Sequence, residues 1–268
     1  MQRPIPLIVF SDLDGTLLDH DTYSWAPAQP ALDRLAAQGV PVVLATSKTA
    51  SETLLLQKHM DLSRYPALVE NGAGVIGLGA DIDVCAQDYS RLRACLDHIS
   101  KGLRQHFTGF GDMDVGTVAQ ITGLTPDDAA RAKARAFSEP GLWAGSEDEK
   151  AEFLASLREA GITARAGGRF LTLSFGKTKK DGMDEIKSRL GARVTMALGD
   201  APNDIDMLEA ADQGVIVHNP HHPPLPALQG EQSGRIVRTS QAGPAGWNAA
   251  VNAFLDAQEQ TLKDDRLG

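Results

Sequence analysis

Two aspartates separated by one residue follow the first apolar run of the chain. Asp12 and Asp14 come after residues 6–10, and Gly15 follows them. Because alternate side chains of an extended chain point the same way, roughly 6–7 Å apart, both carboxylates are expected to face one site. One carboxylate of such a pair can act as a nucleophile while the other transfers protons. The spacing therefore favours a hydrolytic site, and the alternative is a turn that only caps a strand.

Polar residues also follow two later apolar runs. Thr46 follows the second run and offers a hydroxyl and backbone N–H groups, which suit a phosphate oxygen. Asp200, Asn203 and Asp204 follow a run near residue 195 and add two carboxylates and an amide. Carboxylate and amide oxygens are ligands that Mg²⁺ accepts. Each residue alone is compatible with an ordinary helix cap, but together they indicate a magnesium-dependent phosphate site.

Three lysines lie between these groups in the sequence. Lys177, Lys179 and Lys180 can each supply an ammonium to a phosphate, or can form a solvated run. The residues alone leave the choice among the three lysines open.

Short apolar runs alternate with amphipathic helical patterns in the first and last thirds of the chain. The patterns predict strands over 6–10, 41–45, 67–69, 194–198 and 215–217, and helices over 28–38, 49–59, 180–190, 203–211 and 245–257. This alternation indicates βαβ units and a doubly wound parallel sheet of the α/β class. Because open α/β sheets bind ligands at the carboxyl ends of their strands, the fold would bring the polar residues together.

The middle of the chain has a different pattern. An apolar stripe from Tyr89 to Leu103 predicts one helix of about 18 residues, and further helices are predicted from 126 and over 147–160. Residues 162–166 and 169–174 alternate in period two around Gly167 and Gly168, which predicts a β-hairpin. We therefore predict an inserted α+β domain over 82–173, with the parallel-sheet core formed by 1–81 and 174–268.

The composition narrows the classes of partner. The 268 residues are 42% hydrophobic and 23% charged, with a formal net charge of −9. This negative charge argues against nucleic acid or an anionic membrane as a partner, and favours a small-molecule substrate. No apolar run approaches the roughly 20 residues of a membrane-spanning helix. Cys85 and Cys95 cannot form a disulfide framework, so the expected location is cytoplasmic.

The combined motifs resemble those of the haloacid dehalogenase (HAD) superfamily of phosphatases. The resemblance rests on Asp12-Leu13-Asp14-Gly15-Thr16, on Thr46, on a lysine near 180 and on residues 199–204. It covers essentially the whole chain and implies a HAD-like core with an inserted C2-type cap domain.

A narrower resemblance is to the mannosyl-3-phosphoglycerate phosphatases. It rests on the segments 46–49, 70–73, 110–113, 121–124, 137–140 and 243–248. It implies hydrolysis of mannosyl-3-phosphoglycerate to mannosylglycerate, a compatible solute, and phosphate. The chain departs from the family at 179–182, where Lys-Lys-Asp-Gly replaces the usual Lys-Gly. Four alternatives stay open: a phosphatase for glucosyl-3-phosphoglycerate, one for another sugar phosphate, a phosphosugar mutase, and a non-enzymatic sugar-phosphate-binding regulator.

The superfamily resemblance also implies a role for each residue of the site. Asp12 is the nucleophile, which forms an aspartyl-phosphate, and Asp14 is the general acid and base. The implied Mg²⁺ ligands are the Asp12 carboxylate, the Asp14 backbone carbonyl and Asp200. Asn203 and Asp204 are implied to orient these ligands.

The remaining predicted roles concern the substrate. The resemblance implies that Thr46 and Lys180 hold the phosphoryl oxygens. Ser47, Lys48 and Asn71 are expected to bind the rest of the substrate. Arg169, beside the predicted hairpin turn, offers a guanidinium fork to the glycerate carboxylate.

Overall fold

A computed structural model describes residues 7–78, 83–167 and 169–267, without the side chains of residues 83–86 and 262–267. Three sequence-based predictions fall outside this part of the chain. They concern Gly168 in the hairpin turn, the boundary between residues 81 and 82, and the Cys85 side chain.

The described chain alternates strands and helices. In chain order the elements are β1 (Leu7–Ser11), α1 (Gln29–Ala37), β2 (Val42–Ala45), α2 (Ala50–His59), β3 (Ala67–Val69), β4 (Gly74–Ile76), α3 (Asp83–Asp97), α4 (Lys101–Arg104), β5 (Phe107–Gly109), α5 (Val115–Thr122), α6 (Pro126–Lys133), β6 (Ser138–Trp143), α7 (Glu147–Glu159), β7 (Thr163–Gly167), β8 (Phe170–Ser174), α8 (Lys179–Leu190), β9 (Val194–Gly199), α9 (Ile205–Ala210), β10 (Gln213–His218), β11 (Ile236–Ala242) and α10 (Gly243–Leu267).

These elements form two compact units. The core unit consists of Met1–Thr46 and Lys179–Gly268, and the insert unit consists of Ser47–Thr178. The predicted cap, residues 82–173, lies within the insert unit. Its exact limits stay a prediction.

The core unit contains the predicted parallel sheet. Its strands lie in the order β11-β10-β9-β1-β2, and each neighbouring pair is parallel. Strand β1 is buried along its whole length, which explains its continuous apolar sequence. Ser11 pairs with Leu44 of β2 and with Leu198 of β9. The residues that follow these three strands therefore come to the same edge of the sheet.

Helix α10 packs on the core unit through an apolar stripe. Trp247, Val251 and Leu255 are spaced by four residues and are buried. The indole Nε1 of Trp247 donates to Ser11 Oγ over 2.9 Å, and Ser11 Oγ donates to the Asp12 carbonyl oxygen over 2.7 Å. The helix thereby supports the end of β1, directly before the first predicted catalytic residue.

The insert unit is built on antiparallel sheet. Strands β5-β6-β8-β7 form a four-stranded sheet, and β3 pairs with β4 in antiparallel fashion. The predicted hairpin is confirmed as β7 and β8, with Thr163 opposite Ser174. The fold is therefore of the predicted α/β class, with a parallel sheet in the core unit and a four-stranded antiparallel sheet in the insert unit.

The predicted helix over 89–103 is wrong in one respect, because the chain breaks it in two. Helix α3 ends at Asp97, and α4 begins after Ser100, whose backbone is not helical (ψ 136°). Leu92, Leu96 and Ile99 nevertheless pack into one buried cluster. The apolar periodicity continues through the break, so the pattern alone cannot reveal it.

Candidate active site

The carboxyl edge of the core sheet collects polar residues from four neighbouring strands. Asp12 follows β1, Thr46 follows β2, Asp200 follows β9 and Asn219 follows β10. The backbone N–H of Asp12 donates to the Leu198 carbonyl over 2.9 Å, which fixes the end of β1 against β9. This is the edge at which open α/β sheets bind ligands.

Three carboxylates lie together at this edge. Asp12, Asp200 and Asp204 are 8%, 6% and 0% exposed, and each offers an oxygen within 4.8 Å of the others. Burial raises the pKa of Asp12 well above its ordinary value, and the two other carboxylates add to this effect. Burial also raises the pKa of Asp200. Burying three ionised carboxylates close together is unfavourable in free energy unless a cation offsets their charge.

Lys179 provides one such cation. Its ammonium Nζ lies 2.5 Å from Asp12 Oδ1 and 2.7 Å from Asp204 Oδ1, and its side chain is completely buried. Burial alone would lower the pKa of Lys179, but the two carboxylates outweigh burial and raise it. Lys179 is therefore a permanent positive charge between two acids, and it opposes the effect of burial on the pKa of Asp12.

Lys180, selected from the sequence as the phosphate-binding lysine, does not occupy this position. Its side chain is 44% exposed, and its Nζ pairs with Asp184 Oδ2 over 2.5 Å on the same helix. Consecutive helical residues point about 100° apart, so only one of the two lysines can face the aspartates. Lys179 shares the buried face of α8 with Met183 and Ile186, whereas Lys180 lies on the face of Asp184.

Two hydrogen-bond donors orient the Asp200 carboxylate. Thr16 Oγ1 donates to Oδ1 over 2.7 Å, and Asn219 Nδ2 donates to Oδ2 over 2.8 Å. A carboxylate oxygen accepts more than one bond, so both oxygens keep capacity for a cation. Sequence reasoning missed Asn219. The available signal was its place two residues after the predicted strand over 215–217.

Asp204 uses both of its oxygens within the protein. Oδ1 accepts from Lys179, and Oδ2 accepts from the backbone N–H groups of Asp200 and Ala201 over 3.1 and 3.0 Å. Asp204 therefore holds Lys179 and the turn after β9 in place. Asn203 lies half-buried in the same turn, between Pro202 and Asp204.

The remaining predicted residues of the core unit also lie at this edge. Asp14 is half-buried two residues after Asp12, and Thr46 is completely buried at the end of β2. Between Asp14 and Thr16, Gly15 adopts a left-handed conformation with φ 80°, and its N–H donates to the Leu18 carbonyl over 2.9 Å.

Gly15→Ala is expected to disturb the support of Asp200. A Cβ at this position would lie 2.2 Å from Asn219 Nδ2 and 3.1 Å from Asp200 Oδ2. The left-handed backbone should cost about 1–3 kcal/mol of stability. Displacing Asn219 should in addition weaken metal binding by about 10–100-fold.

Gly39→Ala is the matched control for Gly15→Ala. Gly39 also has a left-handed backbone (φ 68°), but a Cβ added there would meet no atom of the described residues within 4 Å. Denaturant unfolding should report the cost of the left-handed backbone in both variants and a further loss in Gly15→Ala, where the Cβ displaces Asn219. The Mg²⁺ concentration for half-maximal activity should rise only in Gly15→Ala. A rise of equal size in both variants would contradict a specific role for this contact.

Ser47, Lys48, Asn71 and Arg169, the predicted substrate-binding residues, belong to the insert unit. The structure brings two of them near each other, because the N–H of Glu70 donates to the Lys48 carbonyl over 2.9 Å and Asn71 comes next. The Ser47 carbonyl accepts from Arg135. The Arg169 guanidinium donates to the Ile121 carbonyl. Their roles stay predictions.

Glu70 is a buried acid that sequence reasoning did not select. Its carboxylate accepts from the N–H groups of Ala136 and Phe137 over 2.8 and 3.1 Å, and from Ser138 Oγ over 2.6 Å. Glu70 and Asn71 both have positive φ angles, 50° and 63°. These hydrogen bonds therefore stabilise the strained turn that contains Asn71.

A sequence comparison places the chain among known hydrolases. The profile described as haloacid dehalogenase-like hydrolase matches residues 9–115 and 147–225, which is more than half of the chain.

Among the described helices, none has both the length and the apolar composition needed to span a bilayer.

Solved structures share this fold over nearly the whole chain. The sucrose-phosphatase of Synechocystis sp. PCC6803, solved with sucrose and phosphate, is 17% identical, with a TM-score of 0.62 over 92% of this chain and 97% of that chain. A HAD subclass IIB sugar phosphatase is 20% identical, with a TM-score of 0.62 over 92% and 98%. A HAD phosphatase from Bacteroides thetaiotaomicron is 21% identical, with a TM-score of 0.61 over 93% and 95%.

Proposed function

The chain belongs to the haloacid dehalogenase-like hydrolases, and on this basis we propose that it is a phosphatase that acts on a phosphorylated sugar compound. One observation carries the proposal: a completely buried ammonium, Lys179, lies between Asp12 and Asp204 beside a third buried acid, Asp200. Such a site combines a carboxylate nucleophile with the charges that a phosphate dianion requires. The sugar phosphatases that share the fold support the substrate class.

The proposed substrate is mannosyl-3-phosphoglycerate, which would yield mannosylglycerate and phosphate. The support comes from the sequence segments that resemble mannosyl-3-phosphoglycerate phosphatases, including residues 70–73 around Asn71 and 243–248 around Trp247. Glucosyl-3-phosphoglycerate and other sugar phosphates are the alternative substrates. Mannosyl-3-phosphoglycerate and glucosyl-3-phosphoglycerate differ in the configuration of one hydroxyl group of the sugar.

The first half of the proposed reaction transfers the phosphoryl group to Asp12. An oxygen of its carboxylate attacks phosphorus, and the bond between phosphorus and the glycerate oxygen breaks. Asp14 gives its proton to the departing oxygen. Lys179 already binds Asp12 Oδ1, which opposes the effect of burial on the pKa of this carboxyl group and leaves Oδ2 for the attack.

The second half releases phosphate. Asp14, now a carboxylate, removes a proton from a water molecule, whose oxygen attacks phosphorus. The bond between phosphorus and Asp12 breaks, which restores both side chains. Thr46, buried at the end of β2, is proposed to donate to a phosphoryl oxygen during both steps.

The residues present fit a magnesium ion. All three buried acids offer oxygen ligands, which Mg²⁺ prefers, and Asp200 is oriented by Thr16 and Asn219. The proposed ligands are the Asp12 carboxylate, the Asp14 carbonyl and Asp200. A bound Mg²⁺ would offset the repulsion between the phosphate dianion and the acids.

Removal of divalent cations is expected to abolish activity. Charge stabilisation by a metal contributes several kcal/mol, so exhaustive chelation should lower turnover by about 10³-fold. Added Mg²⁺ should restore turnover, and Mn²⁺ or Co²⁺ should substitute for it, because an oxygen-only site selects among hard ions only loosely. Full turnover in the chelated, dialysed protein would contradict the proposal.

A phosphate-release screen with Mg²⁺ tests the function directly. The panel should contain mannosyl-3-phosphoglycerate, glucosyl-3-phosphoglycerate, sucrose 6-phosphate, hexose phosphates and a small aryl phosphate. We expect the highest kcat/KM for the mannosyl compound. A higher value for another sugar phosphate would reassign the substrate, and no release from any compound would contradict phosphatase activity.

Arg169→Ala tests the proposed recognition of the glycerate carboxylate. Loss of a charge-assisted contact costs about 1.5–3 kcal/mol, so KM for the glycosyl-phosphoglycerate should rise roughly 10- to 150-fold. KM for an aryl phosphate, which lacks the carboxylate, should not change. Arg158→Ala is the control, because Arg158 is exposed on α7 and donates to the Leu154 carbonyl of the same helix. Equal changes for both substrates would contradict the role of Arg169.

A further inference from the structure

A cluster of imidazole and carboxylate groups lies on the surface of the core unit. The rings of His20 and His221 are stacked, with centroids 4.0 Å apart and an interplanar angle of 17°. Asp21 Oδ2 lies 3.7 Å from His221 Nε2, and the ring of His222 approaches His20 edge-on at 6.0 Å. We infer that His20, Asp21 and His221 form a binding site for a transition-metal ion of the Zn²⁺ or Cu²⁺ type.

The ligand atoms of this surface cluster favour a different class of metal ion from the one that the buried aspartates favour. His20, Asp21 and His221 each offer a ligand atom within 4.8 Å of the others. Ligand atoms about 2.1 Å from a tetrahedral ion lie about 3.4 Å apart, so small side-chain rotations would close the site. All three side chains are exposed. Imidazole nitrogen favours Zn²⁺, Cu²⁺ and Ni²⁺, whereas Mg²⁺ prefers oxygen.

The backbone on both sides of the cluster is held in place. His221 donates its N–H to Asn219 Oδ1 over 2.9 Å, and Pro220 stands between them. On the other side, Asp19 Oδ1 accepts from the N–H and the hydroxyl of Thr22 over 2.9 and 2.7 Å, which closes a turn around residues 20 and 21. The ligands therefore project from two loops that are already hydrogen-bonded, which lowers the conformational entropy that binding costs.

The cluster also connects two loops that support the candidate active site. One loop follows β1 and carries Thr16, and the other follows β10 and carries Asn219. Both residues hold the Asp200 carboxylate. An ion bound by His20 and His221 would tie these loops together at the surface. The inference does not depend on the proposed phosphatase function.

Spectroscopy of bound Cu²⁺ tests the site without an activity measurement. One equivalent of Cu²⁺ should give an electron paramagnetic resonance spectrum with nitrogen hyperfine coupling. Zn²⁺ titrated by calorimetry should bind with the same stoichiometry. Zn²⁺ should also slow amide hydrogen exchange around residues 19–24 and 218–222 together. The Asp200→Asn protein should keep all three signals, because the buried oxygen site does not supply them.

Removal of one imidazole should weaken metal binding at this site. His221→Asn and His20→Asn should each weaken Cu²⁺ and Zn²⁺ binding by about 10–100-fold or more. Asp21→Asn, which leaves both rings in place, should weaken Zn²⁺ binding without loss of the nitrogen coupling. His59→Asn is the control, because His59 is an exposed histidine on α2 in the other unit. Unchanged binding in both histidine variants, or Cu²⁺ bound without nitrogen coupling, would overturn the inference.

Discussion

Replacing Asp12 with asparagine is expected to abolish phosphate release, because an amide has no anionic oxygen to form the bond to phosphorus. Loss of a nucleophile in a hydrolase removes most of the rate enhancement, so we expect turnover to fall by roughly 10⁴-fold or more. Asp14→Asn should lose the proton transfers and fall by roughly 10²–10⁴-fold. Steady-state phosphate release with Mg²⁺ and the preferred substrate measures both effects.

A second measurement separates chemistry from misfolding. Asp12 is buried and paired with Lys179, so circular dichroism and a thermal unfolding curve must show that the Asp12→Asn protein folds. Rapidly quenched wild-type protein should carry the mass of one added phosphoryl group, and Asp12→Asn should not. Asp33→Asn, an exposed change on α1, is the control and should behave as wild type. Near-wild-type turnover by folded Asp12→Asn would contradict its role as nucleophile.

The sequence was sufficient to predict β1, β2, β9 and β10 of the core sheet and the position of Asp12 after β1, whereas the edge strand β11 was not predicted. Strand β1 is buried on both sides, so its residues form an apolar run whose end is easily located, and Asp12 follows that end. Parallel strands that end at the same level bring Asp12, Thr46 and Asp200 to one edge, whatever the distance along the chain. Strand ends are therefore the most informative feature of such a sequence.

Side-chain partners between distant segments were harder to predict. Thr16 and Asp200 are 184 positions apart, and nothing in either local sequence indicates that one holds the other. Asn219 was overlooked because the prolines around it indicate a loop. That loop begins at the carboxyl end of β10, and this position brings Asn219 to Asp200. The break between α3 and α4 was missed because the apolar stripe continues across it.

The position of the buried lysine was predictable, but from periodicity and not from motif spacing. Lys179, Met183 and Ile186 lie at i, i+4 and i+7, the spacing of a buried helical face. Lys180 and Asp184 lie at i and i+4 on another face. The order Lys-Lys-Asp-Gly leaves the motif ambiguous, whereas the apolar neighbours identify Lys179 as the inward lysine.

Lys179→Met is expected to produce the second large effect. The change keeps the length of the side chain but removes the ammonium that Asp12 and Asp204 share. Breaking a buried ion pair by removing one partner costs about 3–5 kcal/mol, which should appear in the free energy of unfolding. Loss of one positive group at the reacting phosphate should lower kcat by about 10²–10³-fold.

Lys180→Met is the matched control, because the same chemical change is made one residue further along the same helix. Lys180 forms only an exposed pair with Asp184, so the free energy of unfolding should change by about 0.5 kcal/mol or less. Its kcat and KM should equal those of the wild type. Denaturant unfolding and phosphate release on the two variants therefore decide between motif spacing and helical periodicity. A larger loss in Lys180→Met, or equal losses in both, would contradict the assignment of the catalytic-site ammonium to Lys179.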